Sequence, residues 1–256
     1  MIDIHAHLCF GDYDKDMDII ISRCKNELAA VIVGSARYEE CIKALVLSNK
    51  YPNFIFPTLG YHPTEGGEEV EKIFELIEKN KDKIVGIGEV GLDYHWEKDK
   101  IKRKKQKEIF VKFIELAEKL NKPMVIHSWD AEEECFEILK SYNVQAVFHC
   151  FSGSKELSKK IVSEGFYISI STMVLFSKDV KKIAKILPMD KLLLETDSPF
   201  LSPNKEKDRR NYPWNIKLSA EKIAELRGIS KEDILMAAKE NAIKFFRLKK
   251  SLSTHI

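Results

Sequence analysis

The stretch PMVIH, residues 123–127, runs through three apolar side chains and ends in a histidine. A strand with apolar side chains on both faces must be covered on both sides, as the strands of parallel sheets are. Seven other short runs of the chain share this apolar, β-rich character. Together the predicted strands cover residues 2–8, 29–34, 54–60, 84–89, 123–127, 145–149, 166–171 and 192–196. The sequence therefore predicts a parallel sheet.

The segments between these runs have the spacing of amphipathic helices. Val70, Ile73, Phe74 and Ile77, for example, recur at one face of a helix among lysines and glutamates. A strand followed by a helix, repeated along the chain, predicts a single (β/α)8 TIM barrel of the α/β class. An open, doubly wound sheet fits the same alternation, so the strand pattern leaves both architectures open. A last helical segment, Lys231 to Arg247, is expected to pack on the barrel exterior.

Composition limits what the chain can be. With 256 residues, 44% of them apolar, it can form one large core, and we expect a single domain over residues 1–256. The 42 basic and 40 acidic residues nearly cancel, so any binding of nucleic acid must be local. No apolar run approaches the roughly 20 residues that span a bilayer. The first residues, MIDIHAHL, lack the features of a signal peptide, and the five cysteines form no CxxC pair. These features favour a cytoplasmic protein with reduced cysteines and no membrane partner.

Six side chains that can bind metal ions fall at or just after the ends of five predicted strands. They are His5, His7, Glu89, His127, His149 and Asp197. Side chains two apart on a strand point to the same face, so the first two histidines are expected to aim at one point. Barrel enzymes carry their working groups at the carboxyl ends of the strands, whereas an open sheet would scatter these six side chains. Their placement favours the barrel.

These side chains suffice for two divalent metal ions. One ligand set is His5, His7 and Asp197; the other is His127 and His149. The two oxygens of Glu89 can bridge the sets. Both ions keep open positions for water and substrate, as catalytic ions do. Mixed imidazole and carboxylate ligands suit Zn, Mn or Mg without selecting among them.

Each ligand has an ordinary structural alternative. A lone histidine pair near the amino terminus can consist of partly exposed strand residues, and Glu89 can cap a turn. His127 or His149 alone can be a hydrogen-bonded histidine of the core or rim. The repetition of the pattern from strand to strand is what favours a metal site.

The other three histidines differ in position. His62, in GYHP at 60–63, ends the third predicted strand and therefore faces the same mouth of the barrel. An imidazolium there could hold a phosphate oxygen or donate a proton, and a rim hydrogen bond is the alternative. His95 and His255 lie outside the strand ends and are assigned no function.

Several motifs of the chain resemble those of the TatD family of metal-dependent DNases, which belongs to the amidohydrolase-like barrels. The matching segments are DIHAHL at 3–8, GYHP at 60–63, GEVGLDY at 88–94, PMVIHSWDA at 123–131, FHCFSGS at 148–154 and LLLETDSPFLSP at 192–203. The resemblance implies a divalent-metal requirement and hydrolysis of DNA phosphodiesters, often as a 3′ to 5′ exonuclease acting at damaged sites, and hence a role in DNA repair. Position by position, it implies one metal on His5, His7, Glu89 and Asp197 and a second on Glu89, His127 and His149.

Two positions depart from the family pattern. Trp129 stands where the family often has Arg, and Tyr212 stands where it often has an acid. These departures affect the expected substrate contacts and leave the metal ligands intact.

Catalytic roles are expected for Glu89, Asp197 and His62. Two ions bridged by Glu89 would activate a hydroxide for attack on phosphorus. Asp197 would ligate a metal and also accept the proton of the water, with a pure ligand role as the alternative. The expected partner is a DNA substrate, single-stranded or at 3′ ends, and no obligate protein partner is predicted.

Four residues are expected to bind the substrate. They are Ser152, Ser154, Arg103 and Arg209. The serines precede a predicted helix whose N–H groups can receive a phosphate, although N-capping is the simpler interpretation. Arg103 belongs to a run of seven bases between Lys98 and Lys107, which can equally be a solvated helix face. Aromatic residues accompany these cations, as in single-strand binders; they are Tyr94, Trp96, Tyr212 and Trp214.

Two other functions fit the same residues. An amidohydrolase, or a deacylase acting on aminoacyl-tRNA, would use the same activated hydroxide on a carbonyl. A metal-dependent binding or scaffold protein would keep the barrel without turnover, and the intact ligand set argues against this alternative.

Overall fold

A computed structural model describes residues 1–67, 69–204, 206 and 208–248. Its eight parallel strands form one sheet in sequence order. They are β1 (Ile2–Ala6), β2 (Ala30–Val33), β3 (Ile55–Leu59), β4 (Gly86–Gly91), β5 (Met124–His127), β6 (Ala146–Phe148), β7 (Tyr167–Ile170) and β8 (Leu192–Leu194). Every strand overlaps its predicted run, and His7 lies one residue beyond β1.

The first and last strands meet, so the sheet is a nearly closed barrel. Ala6 forms a parallel bridge with Ser198. The N–H of His7 donates to the carbonyl of Ser198 at 2.7 Å, and the N–H of Asp197 donates to the carbonyl of His5 at 3.0 Å. The (β/α)8 prediction is confirmed, and the open doubly wound sheet is excluded.

Nine α-helices occur in the described part of the chain. They are α1 (Met17–Glu27), α2 (Tyr38–Lys50), α3 (Val70–Lys79), α4 (Lys100–Leu120), α5 (Glu132–Leu139), α6 (Lys155–Ser163), α7 (Lys178–Ile186), α8 (Ile216–Arg227) and α9 (Lys231–Phe245). Each strand from β1 to β8 is followed by at least one of them. Within residues 1–67, 69–204, 206 and 208–248, none combines the length and apolar character that crossing a membrane requires.

The core has two layers because successive side chains of a strand face opposite sides. On β2, Val31 and Val33 pack in the larger cluster with residues of the surrounding helices, such as Cys41 of α2. Ala30 and Ile32 pack in a second cluster with residues of the other strands. The first cluster lies between strands and helices, and the second fills the barrel interior.

Helix α9 follows α8 on the outside of the barrel, as predicted. The residues at its end and just after it lie at the amino-terminal end of the barrel. Asn241 of α9 donates to the carbonyl of Leu192 at 2.8 Å, which fixes the helix to the start of β8. Phe245 and Phe246 belong to the interior cluster. A Cβ at Gly86, the first residue of β4, would lie 3.4 Å from the Phe246 ring. These aromatic rings therefore close the amino-terminal end of the barrel, and the opposite end is left to the loops that follow the strands.

Candidate metal centre

His5 and His7 lie at the carboxyl end of β1, at the mouth of the barrel. Asp3, also on β1, fixes this strand to the segment after β8: its carboxylate accepts hydrogen bonds from the N–H of His5 at 3.2 Å and the hydroxyl of Thr196 at 2.5 Å. A Cβ at position 34 would lie 2.5 Å from Cε1 of His5, so the space that Gly34 leaves is what admits the imidazole. The Nε2 atoms of the two histidines are 3.1 Å apart.

The carboxylate of Glu89 divides its oxygens between two groups of histidines. Its Oε2 lies 3.3 Å from Nε2 of His5 and 3.4 Å from Nε2 of His7. Its Oε1 lies 2.7 Å from Nδ1 of His127 and 2.8 Å from Nε2 of His149. Glu89 of β4 therefore joins two histidines at the end of β1 to His127 of β5 and to His149, one residue beyond β6.

Asp197 completes the group around His5 and His7. Its Oδ1 lies 3.3 Å from Nε2 of His7 and 3.8 Å from Nε2 of His5. The residue has φ of 55°, a left-handed conformation that Asp tolerates better than most side chains. The six predicted ligands thus lie together, although they come from five separate parts of the chain.

The spacing of these donor atoms suits metal ions. Tetrahedral ligands at 2.0–2.2 Å from an ion lie about 3.3–3.6 Å from one another. The two imidazole nitrogens of His5 and His7 lie 3.1 Å from each other and 3.3–3.8 Å from the nearest oxygens of Glu89 and Asp197. Glu89, His127 and His149 form a second group with atoms within 4.8 Å of one another. The donor spacing around His5 and His7 therefore fits a cation, and the group of Glu89, His127 and His149, which shares the Glu89 carboxylate, is a second candidate ligand group.

Two acids that the sequence analysis did not select orient the histidines. Asp93 lies two residues beyond β4, and its Oδ2 is 2.9 Å from Nε2 of His127, so Nδ1 of that ring faces Glu89. Glu195 follows β8, and its Oε1 is 3.5 Å from Nδ1 of His149 while also accepting from the N–H of Cys150 at 2.6 Å. Carboxylates behind ligating histidines are a common feature of metal sites.

Both central acids are ionised in this environment. Burial alone would raise the pKa of Glu89, but the field of His149 and hydrogen bonds from the surrounding imidazoles hold it well below its usual value. Burial opposes ionisation of Asp197 as well, and the hydrogen bond and charge of His7 lower its pKa nonetheless. The same carboxylates raise the pKa values of His7, His127 and His149, and because metal binds ionised carboxylates and neutral imidazoles, binding there would release protons.

His62 lies at the same mouth as predicted. Its Nε2 is 3.3 Å from Nδ1 of His127 and 3.6 Å from Glu89, and its Nδ1 is 2.7 Å from the hydroxyl of Thr64. Burial, followed by the nearby charge of His127, lowers the pKa of His62 to about 3. The imidazolium form considered from the sequence is therefore disfavoured, because little of it exists at neutral pH.

The four predicted substrate contacts have different surroundings. Ser154 caps α6 by accepting from the N–H of Leu157 at 3.0 Å, which is the simpler role considered for it. Ser152 is exposed, with its hydroxyl 3.4 Å from Glu132. Of the two arginines, Arg103 is hydrogen-bonded within the protein and Arg209 is exposed.

Arg103 is held by its own loop, whereas Arg209 faces solvent. The Arg103 guanidinium donates to the carbonyls of Glu97 at 2.8 Å and Tyr94 at 3.0 Å and lies 4.3 Å from the Tyr94 ring centre. Arg209 is exposed, and no hydrogen bond joins it to another described residue.

The two aromatic pairs expected beside the cations also differ. Trp214 is 5% exposed, stacked on Tyr212 at 4.6 Å between ring centres and covered by Arg23 at 4.0 Å. Trp214 does lie beside a cation, Arg23, but its ring is buried and offers no free face to a base. Trp96 is 69% exposed. His255 lies outside the described residues.

The chain is similar to known metal-dependent hydrolases along nearly all of its length. Residues 2–247 match the family model described as TatD related DNase. An uncharacterized metal-dependent hydrolase of Methanocaldococcus jannaschii is 41% identical, over 96% of each chain. The deoxyribonuclease TATDN3 of Homo sapiens is 34% identical, over 96% of this chain and 94% of that protein.

Solved structures of TatD proteins share the fold of this chain. The crystal structure of a TatD family hydrolase from Entamoeba histolytica superposes with a TM-score of 0.87 at 26% identity, covering 97% of this chain and 98% of that one. The TatD homologue YJJV of Escherichia coli has a TM-score of 0.89 at 24% identity, over 97% of this chain and 98% of that one, and so supports the fold.

Proposed function

The chain belongs to the TatD-related DNase family of metal-dependent hydrolases, which act on ester bonds, and from that premise we propose that it hydrolyses DNA phosphodiester bonds with two divalent cations. The family match supports the hydrolase class, and the name of the human relative supports DNA as the substrate.

A single observation carries the two-metal part of this proposal: the two oxygens of Glu89 face different groups of histidines. The first cation would be held by His5, His7, Asp197 and Glu89; the second by Glu89, His127 and His149. Divalent ions held by these residues would supply Lewis acidity, which would lower the pKa of water and offset charge on the phosphate. Zn, Mn and Mg remain candidates for these ligands.

Asp197 is the proposed proton acceptor for the attacking water. Its side chain is 16% exposed, compared with 4% for Glu89 and none for Glu195, so it is the acid of this group that water reaches most easily. Its lowered pKa keeps it ionised at neutral pH. The neutral imidazole of His62, 17% exposed, can hydrogen-bond to a phosphate oxygen or to the leaving oxygen.

Phosphate contacts are proposed for the exposed members of the predicted set. Arg209 faces solvent, so its guanidinium can turn to a substrate, whereas the exposed hydroxyl of Ser152 donates to Glu132 and must leave that contact to do so. Ser154 is also exposed and uses its Oγ as an acceptor for Leu157, which leaves its O–H to donate, whereas Arg103 must give up its bonds to Glu97 and Tyr94 to reach a substrate. We further propose a single-domain enzyme that acts on single-stranded DNA or on 3′ ends without an obligate protein partner.

A substrate panel tests the proposed function. The purified protein is incubated with Mn, Mg or Zn and with 5′-labelled single-stranded DNA, duplex DNA, RNA, an aminoacyl-tRNA and simple amides. We expect stepwise shortening of single-stranded DNA from its 3′ end in the presence of the metal. Asp197→Asn serves as the inactive reference, because it removes the proposed proton acceptor.

Other outcomes of the panel would replace the proposal. Hydrolysis of the amides or of the aminoacyl ester with intact DNA would make the protein an amidohydrolase or a deacylase. Tight binding of metal and DNA with no hydrolysis of any substrate would favour the non-catalytic alternative.

A further inference from the structure

Three aromatic side chains form an exposed cluster on the loops that follow β4 and β5. This aromatic cluster consists of His95, Trp96 and Trp129. The rings of His95 and Trp129 are stacked, with centres 3.9 Å apart and planes 7° from parallel. The Trp96 ring stands nearly perpendicular to both, 5.2 Å from His95 and 6.1 Å from Trp129.

The cluster exposes a large amount of aromatic surface to solvent. Trp96 is 69% exposed and Trp129 is 42% exposed, whereas the third tryptophan of the chain, Trp214, is 5% exposed. Tryptophan is among the side chains that gain most from burial, so two of them in water on adjacent loops point to a surface that binds something.

The metal centre and the aromatic cluster are joined through one carboxylate. Asp93 receives the N–H of Trp96 on Oδ1 at 2.7 Å, and its Oδ2 lies 2.9 Å from Nε2 of His127. Trp129 is two residues beyond the same histidine, and its carbonyl accepts from the N–H of Tyr94 at 2.9 Å. The cluster is therefore fixed at one side of the proposed reaction centre.

Two exposed lysines lie close to Trp96 in the sequence. Lys98 precedes α4 and Lys100 is its first residue, two and four positions beyond the tryptophan. Of the nearby acids, Glu97 contacts Lys102 at 3.5 Å and Asp130 contacts Nδ1 of His95 at 3.1 Å, while three glutamates, Glu132 to Glu134, begin α5 on the side away from the lysines in sequence. Flat exposed rings beside cations are the arrangement by which proteins bind single-stranded nucleic acid.

We propose that the aromatic cluster is a stacking subsite for one unpaired base of a nucleotide near the bond that is cleaved. This inference rests on the proposed function, since it assumes a nucleic-acid substrate. Stacking uses the face that every base offers, so the subsite tolerates any sequence but requires that a base be present and unpaired. A duplex keeps its bases stacked on one another and would not fill the subsite.

Oligonucleotides with one base removed test the inference. A single-stranded DNA of about ten nucleotides is prepared in versions that carry one abasic residue at successive positions from the 3′ end. For the metal-loaded wild type we expect one position at which the missing base lowers kcat/KM by about 5- to 150-fold, the range that corresponds to loss of one base–aromatic stack. Trp96→Leu and Trp129→Leu are expected to abolish this sensitivity, so that intact and abasic DNA are cleaved alike.

Ile101→Ala is the matched control, because Ile101 is 80% exposed on the first turn of α4 and offers no aromatic face. It should retain the wild-type preference for the intact oligonucleotide. Circular dichroism and melting temperature verify that all variants are folded.

The possible failures are distinguishable. If wild type cleaves DNA but shows no abasic-sensitive position, or if the tryptophan variants keep that sensitivity, the stacking subsite is refuted and the DNase function stands. If wild type cleaves no DNA with Mn, Mg or Zn, the proposed function and the subsite are refuted together.

Discussion

Glu89 holds the proposed centre together, because each of its oxygens serves a different group of histidines. We expect Glu89→Gln to lower the bound metal from two equivalents toward one and to reduce hydrolysis by about 10²–10³-fold or more, the scale seen when one charge-stabilising group is lost from an active site. Elemental analysis of the dialysed protein and initial rates on single-stranded DNA measure the two effects.

Glu108→Gln provides the comparison for this variant, since Glu108 is an exposed acid of α4 whose partner is Lys104. It should match wild type in both assays. A Glu89→Gln protein that keeps two equivalents and full activity would remove the bridging role.

Asp93 is not a proposed metal ligand; it contacts the proposed ligand His127. Asp93→Asn keeps the shape of the side chain but weakens the acceptor for Nε2 of His127. Such orienting carboxylates usually contribute about 10- to 100-fold in metal affinity, and we expect a loss of that size. Competition with a fluorescent chelator gives the dissociation constants. Asp179→Asn, on the exposed face of α7, is the control, and equal affinities for the two variants would contradict the orienting role.

At the scale of elements, α9 and the residues after it close the base of the barrel, far from the loops that carry the site. Phe246 is 3% exposed and packs in the interior cluster. Phe246→Ala should lower the free energy of unfolding by about 3–5 kcal/mol, the usual cost of removing a buried phenylalanine. Urea denaturation measures it.

The remaining folded Phe246→Ala protein should hydrolyse substrate at the wild-type rate per folded molecule, because the base and the mouth lie at opposite ends. Met236→Ala, with a side chain 57% exposed on α9, should leave stability within about 0.5 kcal/mol of wild type. A selective loss of activity in Phe246→Ala would show that the base and the site are coupled.

The loop after β8 is tied to the segment before α1 by the ion pair of Arg210 and Asp16. The hydrogen bond from Arg210 lowers the pKa of Asp16. A carboxyl with a lowered folded-state pKa stabilises the protein above its unfolded pKa of about 3.9, and this contribution is lost as pH falls through the folded value.

Asp16→Asn should therefore cost about 0.5–1 kcal/mol at pH 7, since the pair is partly exposed, and the difference from wild type should shrink below about pH 4. Denaturation curves at both pH values test this expectation. A difference that stays constant or grows in acid would show that the pair stabilises through something other than charge.

For the molecule as a whole, the sequence predicted those features of the fold and the site that depend on a single physical rule. Continuous apolar strands predicted the parallel barrel, and polar residues at strand ends predicted that the six ligands from five strand ends would lie together. The roles of Asp93 and Glu195 depend on which ring nitrogen each side chain faces, and that direction is set by loops beyond the strands. Glu195 carried a usable signal, because it follows β8 directly. The burial of Trp214 under Arg23 depends on packing between distant segments, which periodicity does not report.

Metal binding should stabilise the entire fold, because the ligands come from strands at both ends of the sequence and meet only in the folded barrel. A ligand that binds the folded state at 100 times its dissociation constant adds about 2.7 kcal/mol. For a chain of this size, each kcal/mol corresponds to about 2–4 °C in melting temperature. Removal of metal with a chelator should thus lower the melting temperature by roughly 5–10 °C, and added Mn or Zn should restore it in a concentration-dependent manner. Glu89→Gln should show a smaller shift, since fewer ions bind. If chelation left the melting temperature of the wild type unchanged while elemental analysis showed that the metal was gone, the ions would contribute nothing to holding these strands together.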